Sequence, residues 1–156
     1  MKKYLVIGNP IEHSFSPKLH NYWIKNNNIN AVYEKQKLNE NEIERLILEV
    51  KEKKINGINV TVPFKKAVIP FLDRLSLEAE STKSVNTIYL DNDKLVGHNT
   101  HLSGFELGMK NSKFKVIGKK ILILGAGGVV PSIIFALNKM RASSITVSNR
   151  TKHKAE

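Results

Sequence analysis

The sequence predicts an α/β fold in which short buried strands alternate with amphipathic helices. Three observations predict it. Short apolar runs, such as YLVIG at 4–8, end at Gly, Asn or Pro, as buried strands commonly do. Segments with apolar residues at helical spacing lie between them, most clearly at 39–54. Near the end of the chain, a glycine-rich turn joins an apolar strand directly to a helix.

In the first half, each element has its own local pattern. Ser16 and Pro17 predict an N-cap and a first helical position, so a helix should begin there. The segment 39–54 has acidic residues in its first turn and Ile43, Leu46, Ile47 and Val50 on one face. The order expected from these patterns is strand 4–8, helix 16–27, strand 31–38, helix 39–54 and strand 55–64.

In the second half, the β-branched run at 55–64 is interrupted by Pro63, which predicts a strand that ends in a loop. Asp91-Asn92-Asp93 between two apolar runs predicts a β-hairpin. The remaining expected elements are helices at 65–72, 76–82 and 102–111, the hairpin strands 85–90 and 94–99, and one βαβ unit after residue 118.

Composition limits the class of protein. The 156 residues, 41% of them hydrophobic, suffice for one domain or two small ones with a real core. The chain has no cysteine, which excludes disulfides, thiolate metal sites and cysteine nucleophiles. The apolar run near the start is too short for a signal peptide, and no run approaches the ~18 residues of a membrane span. We therefore expect a cytoplasmic protein with no membrane partner.

The net charge of +11 raises the alternative of a nucleic-acid partner. The lysines are scattered and mixed with asparagines, however, and no basic stripe with interleaved aromatic residues occurs. The sequence favours a solvated basic surface, suited to an anionic small molecule, and no nucleic-acid binding.

The glycine turn has the context of a dinucleotide site. Gly125, Gly127 and Gly128 follow an apolar strand and precede a helix, so the backbone can approach a pyrophosphate at the helix N-terminus. The third glycine of G-x-G-x-x-G would fall at Val130, so a tight connection without a ligand remains an alternative.

The next strand distinguishes the two common dinucleotides. An acidic residue about twenty positions on would bind the ribose hydroxyls of NAD. Arg150 stands in that region instead, with Lys152 and Lys154 behind it, and these cations favour the 2′-phosphate of NADP. A basic segment with no ligand is the alternative.

Polar residues also cluster in three loops that flank strands of the first half. Because open α/β folds bind ligands where the loops at one sheet edge meet, these loops predict a site for a polyhydroxylated small molecule. Lys65 adds an ammonium that can pair with a carboxylate or carry a proton. Taken singly, such residues are often caps or turn residues. The uncharged members of the set are Ser14, Ser16, Asn59, Thr61 and Asn86.

Six ordered segments resemble those of shikimate dehydrogenases: IGNPIEHSFSPKLHN, GINVTVPFK, SVNTI, GHNTHLSG, GAGG and SNRT. The resemblance implies a three-layer α/β substrate domain followed by a Rossmann-like NADP-binding domain, with the substrate between the two. It implies the reversible reduction of 3-dehydroshikimate to shikimate with NADPH, and it leaves a homo-oligomer open. The implied limits are 1–101 for the substrate domain, 102–117 for a connecting helix and linker, and 118–156 for a partial cofactor domain.

The resemblance also assigns roles to residues. Ser14 and Ser16 are similar to the pair that binds the substrate carboxylate, and Lys65 resembles the catalytic lysine. Thr61, Asn86 and Asn99 resemble further substrate ligands. Gly125, Ala126, Gly127 and Gly128 would hold the pyrophosphate, and Asn149, Arg150 and Thr151 the adenosine 2′-phosphate.

The sequence departs from the family at three places. His101 occupies the aspartate position of G-x-N-T-D, so the expected partner of the lysine is an imidazole. Val129 to Pro131 stand where an arginine is common, and residues 118–156 supply one βαβ unit where a doubly wound domain has about six strands. Besides an active enzyme, we therefore consider a silent shikimate-binding module and a quinate/shikimate dehydrogenase relative.

Two histidines, His98 and His101, raise the question of a metal site. Their three-residue spacing places both side chains on one face only if the loop is helical, and no third ligand stands nearby. We expect no metal.

Overall fold

The computed structural model describes residues 1–151, and the chain divides into two compact units, Met1–Asn99 and a second that begins at Thr100. The first unit contains a six-stranded mixed sheet of order β2-β1-β3-β5-β6-β4. Its strands are β1 (Lys2–Gly8), β2 (Ala31–Lys37), β3 (Gly57–Val60), β4 (Arg74–Leu75), β5 (Thr87–Asp91) and β6 (Lys94–His98). Its helices are α1 (Ser16–Asn26), α2 (Ile43–Lys51) and α3 (Leu77–Thr82).

Alternate residues of β1 enter two separate apolar clusters, one on each face of the sheet. Leu5 and Ile7 belong to the larger cluster, which also contains the buried residues of α2. Val6 belongs to the smaller one, against which Ile24 of α1 packs. Helices therefore cover both faces, and the expected three-layer α/β arrangement is confirmed.

The hairpin is also confirmed. β5 and β6 pair antiparallel, with Asp91 opposite Lys94. Asn92 and Asp93 between them have φ values of 48° and 58°. Two successive left-handed residues are what a two-residue hairpin turn of the twisted type requires, and Asn and Asp tolerate them well.

The expected helix at 65–72 is wrong. This segment consists of turns that end in one 3₁₀ turn, Ile69–Phe71, and its later backbone hydrogen bonds span three residues, such as that from Phe71 to Val68. Pro70 lacks the N–H that an α-helical ladder needs there. The chain then forms the two-residue strand β4 beside β6, which local sequence patterns do not indicate.

The second unit contains α4 (His101–Asn111), β7 (Lys120–Leu124), α5 (Val130–Lys139) and β8 (Ser144–Ser148). β7 and β8 pair parallel with α5 between them, which is the expected βαβ unit. Glu106 of α4 forms an ion pair of 3.0 Å with Lys139 of α5. Within residues 1–151 the longest helices have 11 residues, and none has the length and hydropathy of a membrane span.

Candidate functional site

The polar loops of the first unit meet at one edge of its sheet. β1 and β3 run parallel, with Ile7 opposite Val60, so their carboxyl ends lie together. β5 runs antiparallel to β3 and β6, so its beginning lies at the same edge. The segments that carry Ser14, Thr61 and Asn86 therefore leave or enter the sheet side by side.

The serine loop connects β1 to α1. Ser14 and Ser16 are both half-buried, and the Ser14 Oγ accepts the Ser16 backbone N–H at 3.3 Å. The prediction of Ser16 as an N-cap is wrong, since α1 begins at Ser16 itself, with Pro17 in its first turn. The Ser14 hydroxyl thus satisfies a backbone donor at the start of the helix and keeps its own proton for another acceptor.

The loop after β3 lies tightly against the end of β1. The Thr61 N–H donates to the Ile7 carbonyl oxygen at 2.9 Å, and the Asn9 N–H donates to the Val62 oxygen at 3.0 Å. A Cβ added at Gly8 would lie 2.6 Å from the Thr61 Cγ2. Only glycine allows this approach, so Gly8 helps to set the position of Thr61.

Lys65 follows on the same loop. Its carbonyl oxygen accepts the Val85 N–H at 2.9 Å, which ties the loop to the segment before β5. Its side chain is half-buried, and this burial lowers the pKa of the ammonium because it penalises the charged form. A lysine of lowered pKa can release and accept a proton nearer neutral pH than an exposed lysine can.

Asn86 is held at the start of β5 by neighbours on three strands. Its N–H donates to the His98 oxygen at 3.0 Å, and its own carbonyl oxygen accepts the Val60 N–H at 2.9 Å. Its Oδ1 accepts the Thr87 hydroxyl at 3.1 Å, and the side chain is buried, with 8% exposed. The Asn86 side chain therefore has a fixed orientation at the sheet edge.

Asn99 lies directly after β6 and is fully buried. Its amide nitrogen donates to the Thr82 hydroxyl at 3.0 Å and to the Ser84 carbonyl oxygen at 2.9 Å. In this structure the side chain links the end of β6 to the segment before β5. Its role as a substrate ligand stays a prediction.

The two histidines considered for a metal site, His98 and His101, belong to different units. The His98 Nδ1 lies 2.7 Å from the Ser76 hydroxyl and 3.6 Å from a Glu78 carboxylate oxygen, so this side chain is held against the start of α3. His101 is the first residue of α4 in the second unit. Among residues 1–151, no cluster of three potential metal-ligating side chains occurs.

The glycine turn of the second unit has the backbone geometry that its sequence predicts. Gly125 has a φ of +102°, a value that favours glycine, and its N–H donates to the Ser148 oxygen at 2.7 Å. A Cβ added at Gly127 or Gly128 would meet nothing within 4 Å. The turn thus leaves open space in front of the first turn of α5.

Asn149 connects this turn to the end of β8. Its Oδ1 accepts the Ala126 N–H at 3.3 Å, and its Nδ2 donates to the Thr151 oxygen at 2.8 Å. Arg150 beside it is exposed. Lys152 and Lys154, which the sequence also suggested for a phosphate, lie outside the described residues.

Sequence reasoning missed Tyr33 and Thr87. The Tyr33 hydroxyl donates to the Asn59 Oδ1 at 2.6 Å, and the Asn59 Nδ2 donates to the Thr87 hydroxyl at 3.1 Å. Burial raises the pKa of Tyr33 to about 12, while a side-chain hydrogen bond with Ser16 acts in the opposite direction. Tyr33 therefore keeps its proton at neutral pH and is a permanent donor to Asn59.

Together these features define the class of protein. The first unit is a three-layer α/β domain with an edge of hydroxyl and amide groups around one half-buried lysine, which suits a small polar ligand. The second unit is a strand, glycine turn, helix and strand of the Rossmann type.

The comparisons with known proteins identify the family. The sequence model of the shikimate dehydrogenase substrate binding domain matches residues 6–88. The chain therefore belongs to the shikimate dehydrogenase family, which confirms the sequence-based prediction. It is 58% identical to an NADP⁺ shikimate dehydrogenase of Pelagibacter ubique, over 99% of this chain and 58% of that protein.

Solved structures of shikimate dehydrogenases resemble this chain over nearly its whole length. The shikimate dehydrogenase of Aquifex aeolicus has a TM-score of 0.90 and 41% identity, with 99% of this chain and 58% of that chain covered. The Thermus thermophilus enzyme, solved in complex with NADP(H) and shikimate, has a TM-score of 0.87 and 31% identity, with the same coverage of 99% and 58%. The chain thus spans somewhat more than half the length of these relatives.

Proposed function

We propose that this chain binds shikimate and 3-dehydroshikimate at the polar edge of its first unit, and that it takes part in their NADP-linked interconversion. The observation that carries the proposal is Lys65, a half-buried ammonium of lowered pKa at an edge otherwise lined by uncharged hydroxyl and amide groups. The kinship with NADP⁺ shikimate dehydrogenases supports the substrate and the cofactor.

The edge suits the chemistry of this substrate, which carries one carboxylate and several hydroxyl groups. The Ser14 hydroxyl can donate to the carboxylate, because its oxygen accepts the Ser16 N–H and leaves its proton available. We assign Ser16 to the same carboxylate. Thr61 and Asn86 are assigned to the ring hydroxyls, where each can both donate and accept.

In this proposal Lys65 is the acid/base that exchanges a proton with the reacting oxygen of the substrate. When shikimate is oxidised, the reacting hydroxyl loses its proton to the neutral Lys65 amine. When 3-dehydroshikimate is reduced, the ammonium stabilises the negative charge that develops on the carbonyl oxygen and then donates the proton. The lowered pKa of Lys65 serves both directions, because it brings the two protonation states closer in population near neutral pH.

NADP, when bound, supplies the acceptor or donor of the hydride. The residues of the second unit fit its phosphates: the open space beside Gly127 and Gly128 leaves room for a group that side chains would otherwise fill. We propose that Gly125, Ala126, Gly127 and Gly128 face the pyrophosphate. Asn149, Arg150 and Thr151 would hold the 2′-phosphate, with the exposed Arg150 supplying the positive charge.

We keep 1–101, 102–117 and 118–156 as the proposed functional divisions of the chain. The structural division after Asn99 places His101 at the start of α4 in the second unit. In the proposal His101 takes the place of the aspartate that partners the lysine in the family, and its imidazole, which carries no negative charge, is a weaker partner for an ammonium than a carboxylate is.

The experiment that tests the proposal is a calorimetric titration of the chain with shikimate, quinate, NADP⁺ and a DNA oligonucleotide. A spectrophotometric assay of shikimate-dependent NADP⁺ reduction accompanies it. We expect binding of shikimate and NADP⁺ and no binding of DNA. Binding without turnover would support the silent binding module, preference for quinate would support the quinate/shikimate relative, and absence of shikimate binding would overturn the proposal.

A matched pair of variants tests the role of Lys65. Lys66 is the next residue and is exposed, so Lys66→Met removes the same charge without removing the proposed acid/base. In the chain extended to the length of its relatives, Lys65→Met should lower kcat by on the order of 10²-fold or more, and Lys66→Met should not change it appreciably. Equal effects of the two substitutions would refute the assignment.

A further inference from the structure

We infer that Tyr33 is a positioning residue for the substrate: through Asn59 and Thr87, its buried hydroxyl fixes the orientation of the Asn86 amide. The inference rests on the proposed function, because Asn86 is a proposed substrate ligand. Tyr33 itself belongs to β2 and not to one of the loops that the sequence indicated.

The Tyr33 side chain is rigidly held. It is 4% exposed and belongs to the smaller apolar cluster of the first unit. The His20 ring stacks on it, with ring centroids 4.1 Å apart and an interplanar angle of 3°. The Asn21 side-chain amide forms two hydrogen bonds with the Tyr33 backbone: its Nδ2 donates to the Tyr33 oxygen at 2.7 Å, and its Oδ1 accepts the Tyr33 N–H at 3.0 Å. Ring and backbone are therefore both fixed before any ligand binds.

From Tyr33 a chain of hydrogen bonds with a defined direction leads to Asn86. A phenol has one proton, and that of Tyr33 goes to the Asn59 Oδ1 at 2.6 Å. Since the Oδ1 of Asn59 faces Tyr33, its Nδ2 must face the opposite way, where it donates to the Thr87 hydroxyl at 3.1 Å and to the Asn86 carbonyl oxygen at 3.3 Å. The Thr87 hydroxyl, which accepts from Asn59, donates to the Asn86 Oδ1 at 3.1 Å.

The direction of this chain has a consequence for the ligand. Because the Asn86 Oδ1 accepts from Thr87, the Asn86 Nδ2 faces away from Thr87, and the amide cannot turn over without breaking that bond. Without the Tyr33 proton, the Asn59 Oδ1 loses this donor, and the two longer bonds that its Nδ2 donates to Thr87 and to the Asn86 carbonyl oxygen hold the amide less firmly. The Thr87 hydroxyl and the Asn86 Oδ1 that accepts from it are then less well aligned, and only part of the population presents the Asn86 amide in the orientation that the ligand requires.

The test compares Tyr33→Phe with the pair Thr87→Val and Thr87→Ser. Phenylalanine keeps the buried ring and its stacking on His20 and removes only the hydroxyl. Valine at position 87 removes the hydroxyl that joins Asn59 to Asn86, whereas serine retains it. Tyr22→Phe is the matched control, since Tyr22 is 62% exposed on α1. Shikimate is titrated calorimetrically into each variant of the chain.

We expect Tyr33→Phe and Thr87→Val each to weaken shikimate binding about five- to tenfold, because only a fraction of the molecules then holds the Asn86 amide in the binding orientation. Thr87→Ser and Tyr22→Phe should bind as the unmodified chain does. Unchanged binding by Tyr33→Phe would overturn the inference, and so would unchanged binding by Thr87→Val, because Tyr33→Phe also removes the hydrogen bond with Ser16. Equal losses in Thr87→Ser and Thr87→Val would overturn it as well, because a packing role needs no hydroxyl.

Side-chain amide signals in ¹⁵N-correlated NMR spectra of the ligand-free chain give a second measurement. Tyr33→Phe should shift or broaden the amide pairs of Asn59 and Asn86 and leave that of Asn99 unchanged, because Thr82 and Ser84 hold Asn99 separately. If the unmodified chain fails to bind shikimate while these shifts appear, the proposed function fails and the hydrogen-bond chain stands. Unchanged Asn59 and Asn86 signals would overturn the inference whatever shikimate does.

Discussion

The side-chain amide nitrogen of Asn99 lies 2.9 Å from the carbonyl oxygen of Ser84, and the same nitrogen lies 3.0 Å from the Thr82 hydroxyl. Asn99 follows β6, whereas Thr82 ends α3 and Ser84 precedes Asn86. One fully buried side chain therefore connects three segments at the proposed ligand edge. A short polar side chain can do this only because both of its amide hydrogens have acceptors within reach.

Replacing Asn99 should destabilise the first unit. Asn99→Ala removes both donated hydrogen bonds and leaves the buried Ser84 carbonyl without this donor, so we expect a loss of about 2–3 kcal/mol in the free energy of unfolding. Urea unfolding followed by circular dichroism measures it. Asn26→Ala, an exposed change on α1, is the control and should stay within about 0.5 kcal/mol of the unmodified chain. Equal stability of the two variants would contradict the anchoring role.

The stability of the chain should depend on pH through His20. Burial lowers the pKa of this imidazole from its ordinary value of 6.5. The unfolded chain thus binds a proton at higher pH than the folded chain does, so the free energy of unfolding falls as the pH drops below about 6.5 and levels off below the folded pKa. His20→Gln, which cannot titrate, should show a shallower fall between pH 7 and 5 in urea unfolding. An identical pH dependence in both proteins would rule out this contribution.

Substitution by alanine should affect stability differently at two glycines of the same turn. Gly125 has a φ of +102°, so Gly125→Ala is strained and should cost about 1–2 kcal/mol of stability. An added Cβ at Gly127 meets nothing within 4 Å, so Gly127→Ala should fold with nearly unchanged stability. If NADP⁺ phosphates occupy that space, the same methyl group should weaken NADP⁺ binding in calorimetry. Unchanged NADP⁺ affinity in Gly127→Ala would show that the phosphates lie elsewhere.

Local patterns predicted most of the elements that build the proposed site. Hydrophobic periodicity identified the strands around Gly8 and Val60, and the Asp91–Asp93 segment identified the hairpin that brings Asn86 and Asn99 to the same edge. Proline accounts for one error, because Pro70 replaces an expected helix with a 3₁₀ turn. β4, with only Arg74 and Leu75, is too short to have a periodicity.

The hydrogen-bond chain behind the site could not be predicted in this way. Tyr33 meets Asn59 across 26 positions of sequence, and Asn59 meets Thr87 across 28. Spacing along one element predicts which face a side chain occupies, but partners on separate strands depend on strand order and register. The sequence does not indicate the strand order β2-β1-β3-β5. From the sequence alone, Tyr33 is therefore predicted only to lie in a strand.

The substitution His101→Asp tests the most consequential departure of this chain from its family. In the chain extended to the length of its relatives, a carboxylate at position 101 would pair with an ammonium and accept a substrate hydroxyl, whereas an imidazolium would repel the ammonium. We expect His101→Asp to raise kcat for shikimate-dependent NADP⁺ reduction by on the order of 10²-fold if this group takes part in proton transfer. Ser103→Asp is the matched control, since Ser103 is exposed in the first turn of the same helix and gains the same charge. A comparable rise in Ser103→Asp would assign the effect to helix electrostatics, and no rise in His101→Asp would show that the missing carboxylate does not limit turnover.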